Sequence, residues 1–497
     1  MVGLLVALRP EGTSPGAGQP VSVKTFGAKG NGRTDDSRAI QAALDAVPDG
    51  GGTVVVPSGT YRIGTPVLVR RNGTKFRGVG TQSVLKLLDG VTETMLALPA
   101  ATGTNTTDVL VTDVSISRLT LDGNGNGSSS RPPTFFGIQI LHAERVELSE
   151  LHIRDFPYEA ITMSLGERAN RDITVRNSRF TGLGRNAVHL GFGSNLRVSQ
   201  IYVDDTPSQQ WGPAAGNGID VEVEGLDPFV DNFVVEDSIL QRAGTTSAGA
   251  GISLAPAYGP IRNGTLARNV IRNHQTGVAV LTTSENVTIE GNWVVSDDNG
   301  TTGVGFYVQE AMARLAGNVV NSLRWPSVFA DSGLTVVGPS GGPSVVDGNH
   351  FWGGLCAIKV RNSADVSIRG NTWGNAGGCF LEGATSTADA EPAPPNVSLA
   401  VGSLDRTPPA VDVGLGPGAK VKSVTELEVA ATDSGEGVAR VFFQVDGIPL
   451  GFDDAAPYRF TLDPGRLTPG RHTVTALAVD AAANLSDASS ATVTVSR

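Results

Sequence analysis

The chain has 497 residues, a formal net charge of −11, 18% charged residues, 63 glycines, 28 prolines and 2 cysteines. Two cysteines cannot build a disulfide scaffold or a multi-cysteine zinc cluster, and an acidic chain without a Lys/Arg block is a poor partner for nucleic acid. No run approaches the roughly 18 consecutive apolar residues of a membrane-spanning helix, and the length fits either two to four domains or one elongated repeat with a smaller module.

Residues 1–20 open on the short apolar run Gly3 to Leu8, which has no basic residue before it, and continue in a Gly/Pro/Ser-rich stretch. They read as a flexible leader or the remnant of a secretion signal. A single amphipathic helix is expected next: Asp35-Asp36 as cap, Ile40, Leu44 and Val47 on one face, and Pro48 with a glycine run as terminator.

From Val21 to about Glu382 the apolar residues alternate with period two in short runs. One run recurs as Gly137-Ile138-Gln139-Ile140, Ala160-Ile161-Thr162-Met163, Ala187-Val188-His189-Leu190, Gly218-Ile219-Asp220-Val221, Gly251-Ile252-Ser253-Leu254, Gly277-Val278-Ala279-Val280, Gly303-Val304-Gly305-Phe306 and Ala357-Ile358-Lys359-Val360, with a weaker copy near Val328. Between the copies lies a second run with a polar corner, as in Arg176-Asn177-Ser178, Glu290-Gly291-Asn292 and Arg369-Gly370-Asn371. A repeat of roughly 23 to 33 residues made of strands is the mark of stacked coils. A set of β-sandwiches also alternates, but has no reason to repeat both the small-apolar-any-apolar run and the corner. The expected fold is therefore all-β: a right-handed parallel β-helix over residues 21–383, with Ile138, Ile161, Val188, Ile219, Ile252, Val278, Val304 and Ile358 as one inward column.

The opening of this region resembles the pectate-lyase superfamily, in the rhamnogalacturonase-like, alginate-epimerase and phage-tailspike branch. The resemblance is carried by Phe26-Gly27-Ala28-Lys29-Gly30-Asn31-Gly32, Thr34-Asp35-Asp36, Ile40-Gln41-Ala42-Ala43 and Gly50 to Tyr61. It implies a β-helix and a carbohydrate-directed activity without fixing the reaction. Residues 384–409, rich in Ala and Pro, read as an extended, mobile linker, and residues 410–497 as a small immunoglobulin-like β-sandwich of short alternating strands. That module resembles accessory domains of exported bacterial carbohydrate enzymes.

Cys356 and Cys379 occupy equivalent places on neighbouring coils, close enough for a disulfide staple that would imply an oxidising compartment. Two buried thiols are the alternative.

Outward positions form columns up the solenoid. The first is Gln139, Thr162, His189, Asp220, Ser253, Ala279, Gly305, Phe329 and Lys359; the second includes Ser164, Glu222, Leu281, Tyr307, Asp331 and Arg361. Ionisable groups concentrate where His189 neighbours Asp220 and Glu222, with Glu224 continuing the row. Two close carboxylates raise the pKa of one, and a protonated acid beside an ionised partner is what glycoside hydrolysis uses. Asp220 and Glu222 are thus the expected catalytic pair, with His189 tuning or orienting one of them; the reading requires all three on one outer wall open to water. Tyr158, Arg185, Asn186, Trp211, Asn217, Glu224, Tyr258 and Tyr307 are the expected substrate-binding residues. Trp325 and Trp352 are weaker aromatic candidates.

This reading needs no cofactor, although Asp220, Glu222 and Glu224 also offer calcium-type oxygen ligands. A polysaccharide lyase acting on a uronate polymer by β-elimination is the second reading, with Arg185, Lys359 or Arg361 as the cation. Alginate epimerases carry Tyr-Gly-Phe-Asp-Pro-His at what the resemblance makes the equivalent coil, and here Tyr158-Glu159-Ala160-Ile161-Thr162-Met163 keeps only the tyrosine. A non-catalytic glycan-binding or adhesion rod is the third reading, and solvated charges on an exposed sheet are the plain alternative. An exported, monomeric protein with a polysaccharide as its partner is expected.

Overall fold

The computed structural model describes residues 19–98, 110–125, 135–164, 168–205, 216–224, 228–242, 249–282, 284–296, 304–309, 311–322, 332–337, 344–352, 356–361, 366–374, 405–416 and 418–496. Cys379, Trp211, Trp325, Phe329, Asp331, the leader up to 18 and the linker up to 404 lie outside these, as do the side chains of Cys356, Lys359 and Arg361.

Among the described residues, eleven parallel strands stack in chain order as one narrow sheet, from Val67–Leu68 through Ile161–Thr162, Val188–His189 and Ile219–Glu222 to Cys356–Arg361. Each pairs with the strand one coil on, so equivalent side chains line up as a column. The inward members Ile138, Ile161, Val188, Ile219, Ile252 and Val278 are all 0% exposed. Twenty-four further strands among the described residues wrap the other faces of the same core.

The polar corner is a backbone device. Asn177, Gln200, Asp237, Arg268, Gly291, Gly317, Gly348 and Gly370 each take a left-handed φ between 47° and 62°, turning the chain sharply at the same point of successive coils. The residue after the turn is often Asn, and Asn269, Asn292, Asn318, Asn349 and Asn371 form a ladder. Each of the first four donates its side-chain amide to the Oδ1 of the next, at 2.8–3.0 Å along the ladder, and that same Oδ1 also accepts its main-chain N–H. Main-chain groups that the turn leaves unpaired are satisfied by these side chains.

Two sequence expectations are corrected. Val278 pairs with Phe306, and Val304 falls opposite Thr276, so the inward column continues through Phe306, whose register partner on the next coil is Leu334. Val304, Phe306 and Val308 alternate, so either register presents an apolar face; the large Phe306, 0% exposed, takes the core position. Tyr307 therefore stands in the Ala279 column in place of Gly305. The helix Ser37–Asp45 buries Ile40 and Leu44 as expected, but the Asp36 carboxylate does not cap it: it accepts from the main-chain N–H groups of Lys29 and Gly30, while Asp35 accepts from Ser37 N–H.

The sandwich pairs a three-stranded sheet (Ala410–Asp412, Thr425–Thr432, Tyr458–Leu462) with a five-stranded one that includes Val438–Val445 and Gly470–Asp480. It packs on the solenoid's flank. Phe442, Leu477, Val479 and Leu485 meet Tyr202, Ile239 and Val270, and Arg440 bonds Asp237 across the seam at 2.7 Å.

Candidate functional site

The narrow sheet supplies the site. Thr162, His189, Asp220 and Ser253 follow one another in register, one per coil, with about 4.8 Å between strands. Just before each strand, Tyr158-Glu159, Arg185-Asn186 and Asn217 add side chains to the same wall. Because the strands are two to four residues long here, the flanking residues lie as close to the column as its own members do.

Arg185 is the hub. Its Nη1 donates to Tyr158 Oη (2.8 Å) and Glu159 Oε1 (2.7 Å); its Nη2 donates to Glu222 Oε2 (2.9 Å) and stands 4.0 Å from Asp220 Oδ2. Its guanidinium carbon also lies 5.0 Å from the centre of the Tyr158 ring, a cation–π contact. Sharing one nitrogen places those oxygens of Asp220 and Glu222 less than about 7 Å apart. Asn186 donates to both Glu159 Oε1 (3.2 Å) and Asp220 Oδ2 (3.0 Å) and accepts from Asn217 N–H, while Asn217 Oδ1 accepts from Ala250 N–H. His189 places Nδ1 3.1 Å from Glu159 Oε2 and Nε2 2.9 Å from the Glu222 main-chain oxygen.

The expected trio is thus gathered on one wall, but not in the open. His189 is 1% exposed and Asp220 3%. Glu222, with 24% of its side chain exposed, and the partly exposed Arg185 and Tyr158 are the groups that meet solvent. His189 makes no side-chain bond to Asp220 or Glu222; its carboxylate partner is Glu159, which the sequence reading did not include. The signal was present in Glu159, an acid at the position before the small-apolar run that Asn186 and Asn217 fill on the next coils. Its neighbours in that column are uncharged, so nothing in composition set it apart.

Electrostatics follow from burial and partners. Burial raises the Asp220 carboxyl above the usual carboxylate range, against the His189 and Arg185 charges. Burial also raises Glu222, and the Asp220 charge adds to it. Burial pushes His189 down, but Glu159 outweighs it and the imidazole is raised to about 9; Glu159 is in turn held low, its own burial overcome by His189. The Tyr158 hydroxyl is raised by burial. Three carboxyl groups thus face the two cations Arg185 and His189. Asp220 Oδ1 is buried and has no hydrogen-bond partner among the described residues.

The remaining candidates divide. Glu224 lies near enough for its charge to act on Tyr158. Tyr258 is 72% exposed in the loop one coil above Asp220. Tyr307 stands three coils from Asp220 in the register, and Trp352, 6% exposed, is a packing residue. Arg185 Nη2 lies near both Asp220 Oδ2 and Glu222 Oε2, and Asp220, Glu222 and Glu224 do not form a group with ligand oxygens close enough together to share an ion. Among the described residues, the three acidic groups close enough to share a cation are Asp405, just before the sandwich, and Asp433 and Asp480 on it. No helix among the described residues is long and apolar enough to cross a membrane.

The fold is a parallel β-helix carrying an immunoglobulin-like module. Residues 20–222, which include the whole cluster, match the family described as "Rhamnogalacturonase A/epimerase, pectate lyase-like", and residues 416–476 match "Bacterial Ig domain". Alginate lyase 7 of Azotobacter vinelandii is 32% identical over 199 residues, covering 36% of this chain and 21% of that protein. Mannuronan C5-epimerase AlgE4 of the same organism is 34% identical over 162 residues, covering 29% of this chain and 28% of the relative. The chain thus spans about a quarter of these relatives' length. The surface protein and adhesin PfbA of Streptococcus pneumoniae superposes with a TM-score of 0.58 at 16% identity, over 73% of this chain and 100% of PfbA, a likeness of fold.

Proposed function

We propose that the protein is a carbohydrate-active enzyme that cleaves glycosidic bonds of a polysaccharide laid against the narrow sheet, by hydrolysis, with Asp220 and Glu222 as the acid–base pair. The observation that carries this is the pair itself: two carboxyls raised by burial and held beside one guanidinium nitrogen. A water molecule attacks the anomeric carbon as the glycosidic C–O bond breaks; Glu222, the member open to solvent, gives its proton to the leaving oxygen, and the proton lost by the attacking water passes to the Asp220 carboxylate. Tyr258 and Tyr158 offer ring faces to the sugar. Arg185 already donates to Tyr158, Glu159 and Glu222, which favours hydrolysis over a reaction that needs a free cation at a substrate carboxylate.

β-Elimination at a uronate is the second reading. It is supported by the names of the matched relatives, an alginate lyase and mannuronan epimerases, and by the Arg185 to Tyr158 hydroxyl bond, which joins a cation to an ionisable oxygen. Action outside the cell as a monomer belongs to the same proposal. Incubation with uronate-rich and neutral polysaccharides decides among these. Hydrolysis gives reducing ends without ultraviolet-absorbing unsaturated products, elimination gives both, and binding without product marks an adhesive rod. Glu222→Gln is expected to lose about 10²–10⁴-fold in rate; turnover near that of the wild type removes the pair from the mechanism.

A further inference from the structure

His189 ties three successive coils together. Its Nδ1 faces Glu159 Oε2 at 3.1 Å on the coil below, with Thr162 Oγ1 at 3.3 Å, and its Nε2 lies 2.9 Å from the main-chain oxygen of Glu222 on the coil above. A carbonyl oxygen only accepts, so Nε2 carries a hydrogen. Glu159 Oε1 takes hydrogen bonds from Arg185 and Asn186, a donor set that suits an ionised carboxylate, so Nδ1 carries a hydrogen as well and the ring is an imidazolium. Both residues are 1% exposed. Neither charge is screened by water; without Glu159 the ring's charge would be buried with no hydrogen-bonded counter-charge, whereas Glu159 also pairs with Arg185.

We propose that Glu159 and His189 are a positioning couple for Glu222: the buried carboxylate keeps the ring charged, and the charged ring fixes the Glu222 backbone and faces the Asp220–Glu222 pair with a positive charge. This rests on the proton-transfer role proposed above for Glu222. The charged groups about the ring are Glu159, Asp220 and Glu222, with Arg185 on the far side of Glu159. The couple touches no substrate; it acts through the placement and charge environment of the residue that does. With the ring held up to about 9, it is intact throughout the neutral range.

The imidazole ¹⁵N shifts of the full-length protein, with His189→Gln to assign them, test the couple independently of any activity. Both His189 nitrogens protonated at neutral pH is the expected result; a neutral ring overturns the proposal. For the glycan reaction, Glu159→Gln is expected to lower kcat by about 10–100-fold with KM little changed. It should also move the alkaline limb of the pH profile down toward the ordinary imidazole range. An unchanged kcat and pH profile in that variant overturns the proposal too. Should Glu159→Gln not fold, the wild-type kcat must fall with the ring's own titration, and a kcat that ignores it refutes the couple. If Glu222→Gln proves active while His189 is doubly protonated, the functional reading fails and the ion pair stands.

Discussion

Arg440→Ala tests whether sandwich and solenoid form one mechanical unit. The guanidinium, 2% exposed, donates to Asp237 at 2.7 Å across the seam and to both oxygens of Asp454 at 2.5 and 2.9 Å, and lies 3.8 Å from the centre of the Phe452 ring. Truncation leaves Asp237, 8% exposed, with Arg268 as its remaining cation, and removes the stem that fills the space between Phe442, Phe452 and Trp293. Removing one partner of a buried pair costs about 3–5 kcal/mol. A module of this size melts about 4–8 °C lower for each kcal/mol, so its transition should fall by at least about 12 °C. Calorimetry of the full chain is the assay. The expected trace shows the sandwich melting ahead of the solenoid, while Arg459→Ala, whose ion pairs with Glu426 and Glu428 are half-exposed, changes stability by less than about 1 kcal/mol. A displacement of only a degree or two for Arg440→Ala would mean that the seam is a passive contact.

Three further outcomes are expected. The His189 imidazole is raised in the folded chain to about 9 from its ordinary 6.5, so its contribution, roughly 3 kcal/mol, is fully present below about pH 6.5 and lost as pH rises to 9. Urea midpoints of the wild type should fall across that window, and His189→Gln should lack that part of the fall. Ile219→Ala, in the fully buried inward column directly behind Asp220, should cost about 2–5 kcal/mol by denaturant unfolding; a smaller loss would show that the coil collapses into the cavity. Asn318→Leu deprives Asn292 N–H and Nδ2 of their acceptor and the Ile289 main-chain oxygen of a donor, at about 1–3 kcal/mol per orphaned group. Its effect should exceed that of a comparable change at an exposed corner such as Asn263, and equal effects would argue against the ladder.

The columns were legible because a parallel coil repeats its register: one small-apolar-any-apolar run places Ile161, Val188 and Ile219 inward and Thr162, His189 and Asp220 outward with no further information. The slip at Val304 arose where three apolar residues alternate, so pattern alone left two registers open and side-chain volume chose between them. Glu159 escaped notice because its importance lies in what it touches. An acid beside a tyrosine before a short strand looks like any solvated corner charge until Arg185 and His189 close on it from the next coil.

Sequence therefore determined the coil, its repeat, the inward column and the neighbourhood in which His189, Asp220 and Glu222 meet, since all of these follow from a two-residue strand period and a fixed rise per coil. Tertiary structure decided their chemistry. Whether an acid is ionised, shared or raised depends on which cations lie within hydrogen-bond reach and how much water remains, and both are set by side chains that residues far apart in the chain bring to one wall. The docking of the sandwich was decided in the same way: Arg440 and Asp237 are 203 positions apart, and only the packed seam makes them a pair.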